Sequence, residues 1–555
     1  MRGSLAAVVT LLAALGASAA HAVLLDPTFG VGGKVTDAAL GGARDFLLEP
    51  SGRLIVLADP KAEDSGTVLS AYLPDGTLDA SFGTGGRAVV TSSVTFWAHI
   101  ARQPADGKLL VVYYPYSLRR FESNGQPDTS FGTGGVVVLD QTLRFPEAIV
   151  VQPDGKIVIA GEGWDDDGVL RLLPDGTPDP TFGTGGIVLT ATTLDEGLRP
   201  YTLALGPDGK IAVGGYYRFV PDPDRAVIQY LNDGTPDPDF GTNGLVVTDL
   251  SGGFEYLSSL VYQADGKMIA FGPFSGFVSG SYSSMVAVRY LADGTLDGAY
   301  GTGGIAAVDH SFDRDPAIPR AILDDDGKVL VTAGAMLARF TDTGLLDRTL
   351  APCAVAMNPL NDGFDIGVVR RTDGKLLVVG GIRPRGEFGF LPSTFGIVRY
   401  TDDDPACQPA GPRLSRLSAR PARGRTFFQK LKWKWRSSVP VALADFGPPP
   451  PGDRFFACIL DADPLALRNG SLFDLTGFSV SSFGYKGRVE ELSGRLHPGV
   501  AGKASIYFSD LLLNPDALYV PPVTVRLDRN GATCWEAQFS VLKKNSDVAF
   551  SATSD

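Results

Sequence analysis

The chain has 555 residues, of which 44% are hydrophobic and 20% are charged, a composition typical of globular proteins with roughly two to four domains. The formal net charge is −13, and it is uneven: residues 411–555 carry 19 Lys and Arg against 13 Asp and Glu, so residues 1–410 carry −19. Such an acidic body argues against nucleic-acid binding, because contacts to phosphate need a basic surface.

The amino-terminal residues 1–22 are predicted to be a secretory signal peptide. Arg2 precedes an apolar run over 5–20, and Ala20–His21–Ala22 offers small residues at the cleavage position. The run is too short for a membrane anchor, and we find no other candidate transmembrane span. We expect an exported protein, periplasmic, extracellular or at the cell surface, that begins at Val23.

One stretch, DGTLDASFGTGG at 75–86, recurs through the chain and alternates with two other signatures. These are a turn followed by an apolar run (PDGKIVIAG, 153–161) and an alternating run (GVLRLL, 168–173), and each occurs seven times. Four short strands per unit, divided by Gly, Asp and Pro turns at a period of roughly 50 residues, are typical of a β-propeller blade. The sequence predicts an all-β chain whose residues 23–405 form a seven-bladed β-propeller. The recurrences lie at 124–135, 175–186, 233–244 and 293–304, with partial copies at 25–33 and 342–347.

The two ends of the repeat array complement each other. The seventh unit stops at 397–400 without its last strand, and the chain begins with that missing piece at 25–37. Because a propeller closes without exposed strand edges, we expect Gly33–Asp37 to form the outer strand of the seventh blade. The alternative makes Gly33–Asp37 the first strand of the first blade.

The turns divide the predicted disc into two faces. Neighbouring strands are antiparallel, so successive turns alternate between the faces. The PDGK and DGTLDASFGTGG turns therefore share a uniform face, and the loops of varying sequence share the other, variable face. We expect a ligand site on the variable face.

Aromatic and Arg side chains in the variable loops suit a glycan or peptide ligand, although they could simply pack their own loops. The aromatic residue of the repeated turn instead recurs once per blade, which indicates a wedge between blades. The candidate ligand-binding residues are Tyr113, Trp164, Tyr216, Tyr217, Arg218, Phe277, Arg383 and Arg385. The predicted wedges are Phe29, Phe82, Phe131, Phe182, Phe240 and Tyr300.

The motifs LDPTFG, QPDGKIVIAG and RYLADGTLDxxYGTGG resemble the bacterial delta-60 repeat over roughly residues 24–400. The resemblance implies an exported or surface-associated bacterial propeller-like protein. It brings no catalytic residues.

Catalytic and metal-ligating patterns are scarce. His99, His310 and His497 have no metal-ligand spacing, and a Ser-His-Asp arrangement around His99 or His310 is the alternative to a structural role. Asp clusters at 165–167, 324–326 and 402–404 could ligate calcium, but Asp before Gly is also what a tight turn needs. We expect no catalytic residue, no metal and no cofactor, with calcium as the alternative.

The carboxyl-terminal part changes character. Residues 406–425 are predicted to be a linker, and strand-like runs over 426–555 predict a small β-sandwich-like domain, which also resembles an uncharacterised module of exported bacterial proteins. Four cysteines in an exported chain allow three pairings. We expect Cys458–Cys534 and Cys353–Cys407.

These features together predict an exported, non-enzymatic binding or scaffold protein whose partner is an extracellular glycan or protein. One alternative is a hydrolase or lyase that acts on an extracellular polysaccharide at the variable face. Another is a structural or adhesive protein of the cell surface. Carboxylates converging on the central channel would favour the hydrolase or lyase.

Overall fold

The computed structural model shows an all-β protein; its described residues form strands and turns without a helix. The described part of the chain also lacks any helix long and apolar enough to span a membrane. It comprises residues 24–61, 66–93, 95, 97–115, 117–139, 143–163, 167–193, 196–217, 223–250, 255–274, 284–309, 320–324, 327–333, 336–347, 350, 355–357, 364–382 and 394–401, and the strands beyond 401 that are given below.

Each blade is one antiparallel sheet whose strands follow chain order from the inside outward. The seven blades of the prediction are confirmed. The first six are blade 1, β3 (Leu40–Leu48), β4 (Leu54–Pro60), β5 (Thr67–Tyr72) and β6 (Arg87–Thr91); blade 2, β7 (Ala98–Arg102), β8 (Leu109–Tyr113), β9 (Ser117–Phe121) and β10 (Val136–Val138); blade 3, β11 (Phe145–Val151), β12 (Ile157–Glu162), β13 (Gly168–Leu172) and β14 (Ile187–Leu189); blade 4, β16 (Glu196–Leu205), β17 (Ile211–Tyr217), β18 (Asp224–Tyr230) and β19 (Leu245–Thr248), with the short β15 (Ala191–Thr193) beside β16; blade 5, β20 (Ser259–Tyr262), β21 (Met268–Phe274), β22 (Ser284–Tyr290) and β23 (Ile305–Asp309); and blade 6, β24 (Arg320–Leu323), β25 (Val329–Ala333), β26 (Met336–Phe340) and β27 (Val355–Met357).

The seventh blade joins the two ends of the repeat array. Its inner strands are β28 (Phe364–Arg370), β29 (Leu376–Ile382) and β30 (Thr394–Thr401), and its outer strand is β2 (Lys34–Asp37). Val35 pairs with Ile397, and the short β1 (Leu24–Leu25) covers the rest of β30. The expected ring closure is confirmed, and the alternative phase is wrong.

The repeated turn links each blade to the next. The Phe131 ring is fully buried and lies against Gly176 of blade 3, where an added Cβ would be 2.8 Å from the ring. Gly176 has a φ of +90°, which favours glycine. The amide of the residue after the aromatic donates to a carbonyl of the next blade, as from Gly183 to Asp233 over 2.9 Å. The predicted wedge role is confirmed, because all six aromatic side chains are at most 2% exposed.

A buried ion cluster reinforces this link. In blade 3 the Arg171 guanidinium donates to Asp179 over 2.8 Å, lies 4.5 Å from the Phe182 ring centroid, and donates to the backbone carbonyl of Asn232 in blade 4. The Lys156 ammonium adds a second cation 3.3 Å from Asp179. Burial opposes ionisation of Asp179, but its hydrogen bonds to Thr181 and the nearby cations hold its pKa far below the usual range.

Beyond residue 401 the structure describes backbone strands in two sheets. Strands at 408–409 and 416–421 lie within the predicted linker. The linker bounds, the sandwich packing and the Cys458–Cys534 pair remain predictions, and Cys353 and Cys407 lie outside the described residues. One sheet contains β31 (Gln408–Pro409), β41 (Thr533–Phe539), β40 (Val523–Arg529), β34 (Arg454–Leu460) and β35 (Leu467–Asp474); the other contains β36 (Phe478–Ser481), β37 (Gly484–Val489), β38 (Leu492–His497), β39 (Ser505–Leu511), β33 (Gln429–Arg436), β32 (Arg416–Pro421), β43 (Ala549–Thr553) and β42 (Leu542–Ser546).

Candidate functional site

The first strands of the seven blades contact one another in sequence around the ring and therefore line its central channel. Their amino-terminal ends reach the variable face. At this mouth, blades 2 to 5 each place one large side chain at the same level: Trp97, Phe145, Arg199 and Tyr256. The backbone shows that three of these positions are equivalent. The carbonyl oxygens of Phe145, Arg199 and Tyr256 each lie close to a glycine of the second strand of the same blade: Gly161, Gly215 and Gly272, respectively. We call these four residues the rim.

Side-chain contacts run along the rim from blade to blade. The Trp97 and Phe145 ring centroids are 4.7 Å apart, which joins blades 2 and 3. The Arg199 guanidinium forms an ion pair with Glu162, which joins blades 3 and 4. Tyr201 on the strand of Arg199 lies 5.6 Å from Tyr256 in an edge-to-face contact, which joins blades 4 and 5. The rim residues are half-buried, so part of each residue remains exposed to solvent.

A β-bulge lies immediately below the rim in blades 3 and 4. The pairing of β11 with β12 shifts between Pro146 and Ala148, and that of β16 with β17 shifts between Pro200 and Thr202. The bulged residues are Glu147 and Tyr201. Bulges are common beside active sites, where they redirect a side chain.

Two carboxyl groups of blade 3, those of Glu147 and Glu162, interact electrostatically at this level but have different surroundings. Burial, and then the negative charge of Glu162, raise the pKa of Glu147 to about 8, although the Trp97 side chain hydrogen-bonds to it. Glu162 is 7% exposed and paired with Arg199, which in turn donates to the Tyr216 hydroxyl over 3.2 Å. The two carboxyl groups therefore differ in their surroundings: burial favours the neutral form of Glu147, whereas Glu162 forms an ion pair with Arg199.

A second polar cluster lies deeper in the channel. Asp45 of blade 1 is 3.4 Å from His99 of blade 2 and 2.9 Å from Arg320 of blade 6. Burial alone would raise the pKa of Asp45, but Arg320, His99 and the amide of Ile100 lower it to about 2. Arg320 passes Gly367 of blade 7, where an added Cβ would lie 3.7 Å from its side chain. This cluster ties three blades together across the channel.

The candidate residues from the sequence divide into three groups. Tyr216 lies at the channel mouth, where its hydroxyl accepts a hydrogen bond from Arg199. Tyr113 is 9% exposed in the core between blades 1 and 2, and Tyr217 packs against the core between blades 3 and 4. The others lie outside the described residues: Trp164, Arg218, Phe277, Arg383 and Arg385.

The rim and Glu147 are not among the residues singled out from the sequence, since the inner strands vary most from copy to copy. A positional signal exists nonetheless. Trp97, Phe145, Arg199 and Tyr256 each stand nine residues before the Asp of the following Asp-Gly turn, at 106, 154, 208 and 265.

Metal ligation finds no support in the described residues, which contain no group of three His, Cys, Asp or Glu side chains that could hold a metal ion. Asp167 and Asp324 are both buried, and Asp324 pairs with Arg370. The remaining members of the first two Asp clusters, and all of 402–404, lie outside the described residues.

Two clefts lie on the uniform face within the described residues. The larger, about 600 Å³, lies between blades 1 and 2, and its lining includes Glu49, Arg53, Asp79 and Arg102. It adjoins blade 1, in which Ala71 occupies the position that Arg171 occupies in blade 3. The smaller, about 370 Å³, adjoins Arg171 itself. Both are lined in part by residues of the ion clusters that link the blades.

The fold defines a seven-bladed β-propeller with a polar and aromatic channel mouth. Residues 152–182, 206–240 and 263–299 match a family described as a domain of unknown function (DUF5122) β-propeller. These three segments are thus similar to repeats of this family, and the resemblance to the delta-60 repeat is confirmed there.

Three solved structures show weaker similarity. A gluconolactonase from Xanthomonas campestris is 14% identical (TM-score 0.32, 55% of this chain and 86% of that chain covered). The PQQ-bound aldose sugar dehydrogenase from Streptomyces coelicolor is 16% identical (TM-score 0.32, 54% of this chain and 93% of that chain covered). The WD40 β-propeller domain of Doa1 is 10% identical (TM-score 0.36, 66% of this chain and 95% of that chain covered). Scores this low assign no activity to the chain, and no curated protein matches it.

Proposed function

We propose that the protein is an exported binding protein whose propeller holds a glycan at the channel mouth of blades 2 to 5. The observation that carries this proposal is the series of contacts that joins blades 2 to 5 at the mouth, in which the aromatic pairs Trp97–Phe145 and Tyr201–Tyr256 flank the Arg199–Glu162 ion pair.

The chemistry of the rim suits a sugar. The C–H face of a pyranose ring packs on an aromatic face, while its hydroxyl groups need nearby donors and acceptors, and binding sites commonly combine the two. Arg199, Glu162 and the Tyr216 hydroxyl supply that polar part within the same contact chain. A peptide would use the same aromatic rings, so a peptide array is the contrasting measurement.

The test is retention of the full-length protein on a glycan array, with Tyr256→Ala as the variant and Val138→Ala as the control. Tyr256 makes an edge-to-face ring contact with Tyr201 at the mouth, whereas Val138 is 76% exposed on the outer strand of blade 2. Loss of an aromatic anchor costs about 2 kcal/mol or more, so we expect binding to weaken at least about thirtyfold with an unchanged melting temperature. Retention by Tyr256→Ala equal to that of the control, or binding to peptides alone, would contradict the proposal.

A further inference from the structure

The mouth contains more than a binding surface requires. Glu147 and Glu162 belong to one antiparallel strand pair, in which Glu162 lies opposite Phe145 and Glu147 follows two residues later at the bulge. In a regular antiparallel pair such diagonal neighbours lie about 7–8 Å apart, with their Cβ atoms somewhat closer. Catalytic carboxyl groups about 6.5–9.5 Å apart leave room for a water molecule beside a glycosidic bond.

The surroundings of the two groups differ in the way that acid–base chemistry needs. Burial and the negative charges of Glu162 and Asp167 favour the neutral form of Glu147, and they outweigh the Arg199 guanidinium and the Trp97 hydrogen bond, which favour its ionised form. Glu162 instead forms an ion pair with the Arg199 guanidinium. Paired carboxyl groups whose environments separate their protonation states are the usual sign of an acid and a base.

We propose that the mouth hydrolyses glycosidic bonds, with Glu147 as general acid and Glu162 as general base, an inference that rests on the glycan site proposed above. The bond between the anomeric carbon and the bridging oxygen breaks, its electron pair stays on that oxygen, and the oxygen takes the proton of Glu147. A water oxygen forms the new bond to the anomeric carbon, and its proton passes to Glu162. Exchange with solvent then returns a proton to Glu147 and removes one from Glu162.

The aromatic residues have a positioning role in this scheme. Trp97 and Phe145 lie on one side of the carboxyl pair, and Tyr201 and Tyr216 lie on the other, where Arg199 is within 5.9 Å of both tyrosine ring centroids. A sugar held between the two groups would place its linkage over Glu147 and Glu162. Asp45 and His99, deeper in the channel, take no part.

The experiment measures the release of reducing ends from xylan, β-glucan, galactan and chitosan by the full-length protein and by Glu147→Gln. General acid catalysis contributes about 10²- to 10⁴-fold, and we expect a loss of that size. A 2,4-dinitrophenyl glycoside of the released sugar needs no proton on its leaving group, so there Glu147→Gln should lose less than about tenfold, whereas Glu162→Gln loses activity on both substrates. Glu122→Gln, a change at a half-exposed carboxylate on the uniform face, should match the wild type.

The pH profile provides a second readout. Because Glu147 must carry a proton, wild-type hydrolysis of the polysaccharide should fall as the pH rises through about 8. With the dinitrophenyl substrate, which needs no general acid, this alkaline decline should be absent in the wild type and in Glu147→Gln alike. A merely structural role for Glu147 would leave the decline in place and would overturn its assignment as the acid.

The remaining outcomes separate the two proposals. Glycan retention on the array without release of reducing ends would overturn hydrolysis and leave the binding site standing. Absence of both would overturn the binding site as well. Equal rates for wild type and Glu147→Gln on the polysaccharide would overturn the catalytic assignment alone.

Discussion

At the scale of single residues, the chain contains its own substitution series for the cluster that links the blades. Arg171 has Arg120, Arg289, Arg339 and Arg399 as counterparts in other blades, but blade 4 has Gln229, which donates to Asp237 over 2.7 Å. Blade 1 has Ala71, and there Arg53 occupies the turn position of Lys156. Its guanidinium reaches both Asp79 and the carbonyl of Ser123 in the next blade. The link to the next blade is therefore preserved by a different residue.

This series predicts the cost of losing an arginine. Arg171 is 1% exposed, so Arg171→Ala leaves Asp179 buried beside Lys156 alone and removes the donor to Asn232. Breaking a buried pair costs about 3–5 kcal/mol, and urea unfolding should show a loss of that size. Arg171→Gln, which copies blade 4, should cost less than half as much. Equal losses for the two variants would show that the hydrogen bond to Asp179 contributes nothing.

At the scale of elements, the turns are conformationally specific. In the turn of blade 3 the Asp175 carboxylate accepts hydrogen bonds from the Thr177 amide over 2.9 Å and from its hydroxyl over 2.7 Å. Such local bonds favour the turn before any tertiary contact forms. The turns thus fix the local backbone conformation, whereas the aromatic wedges pack neighbouring blades together.

Two glycines of positive φ separate these contributions. Gly176→Ala introduces strain at φ +90° and also a Cβ 2.5 Å from Val137 and 2.8 Å from Phe131, whereas Gly185→Ala introduces strain at φ +66° with nothing within 4 Å. We expect about 1–2 kcal/mol for the strain alone, and about 1–3 kcal/mol more for Gly176→Ala from overpacking. Chemical denaturation of both variants measures the difference. Equal destabilisation would argue against a tight contact between blades at this turn.

The predictability of the fold follows from the same elements. The seven blades and their ring closure were predictable because each turn repeats a local chemistry, with Asp, Gly and an aromatic residue at fixed offsets. The mouth was not, because the first strand of each blade carries different residues at the rim. Glu147 and Tyr201 lie beside the rim because of β-bulges. Each bulge adds one residue to a strand, and the spacing of the repeats does not predict it.

At the scale of the whole molecule, the two ends of the repeat array define the ring. The amino-terminal segment supplies blade 7 with its outer strand, its wedge Phe29 and its carboxylate Asp26, which accepts from Lys375 over 2.6 Å. The cross-channel pair of Asp45 and Arg320 then bridges blades 1 and 6 over this closing blade. The mouth of blades 2 to 5 depends on that closure, because the first strands converge only in a complete ring.

The most direct test of this account is a cross-link across the closing strand. Val35 lies opposite Ile397, so their Cα atoms are within the range of about 4.4–6.8 Å that a disulfide spans. Val379, on the strand beyond Ile397, is the matched control, because it lies about two strand spacings, or roughly 9–10 Å, from Val35. After oxidation, we expect mass spectrometry to find a disulfide-linked peptide pair in Val35→Cys/Ile397→Cys and no peptide pair joined through the two introduced thiols in Val35→Cys/Val379→Cys. Absence of the first cross-link, or equal yields of both, would contradict a ring closed by the amino-terminal strand.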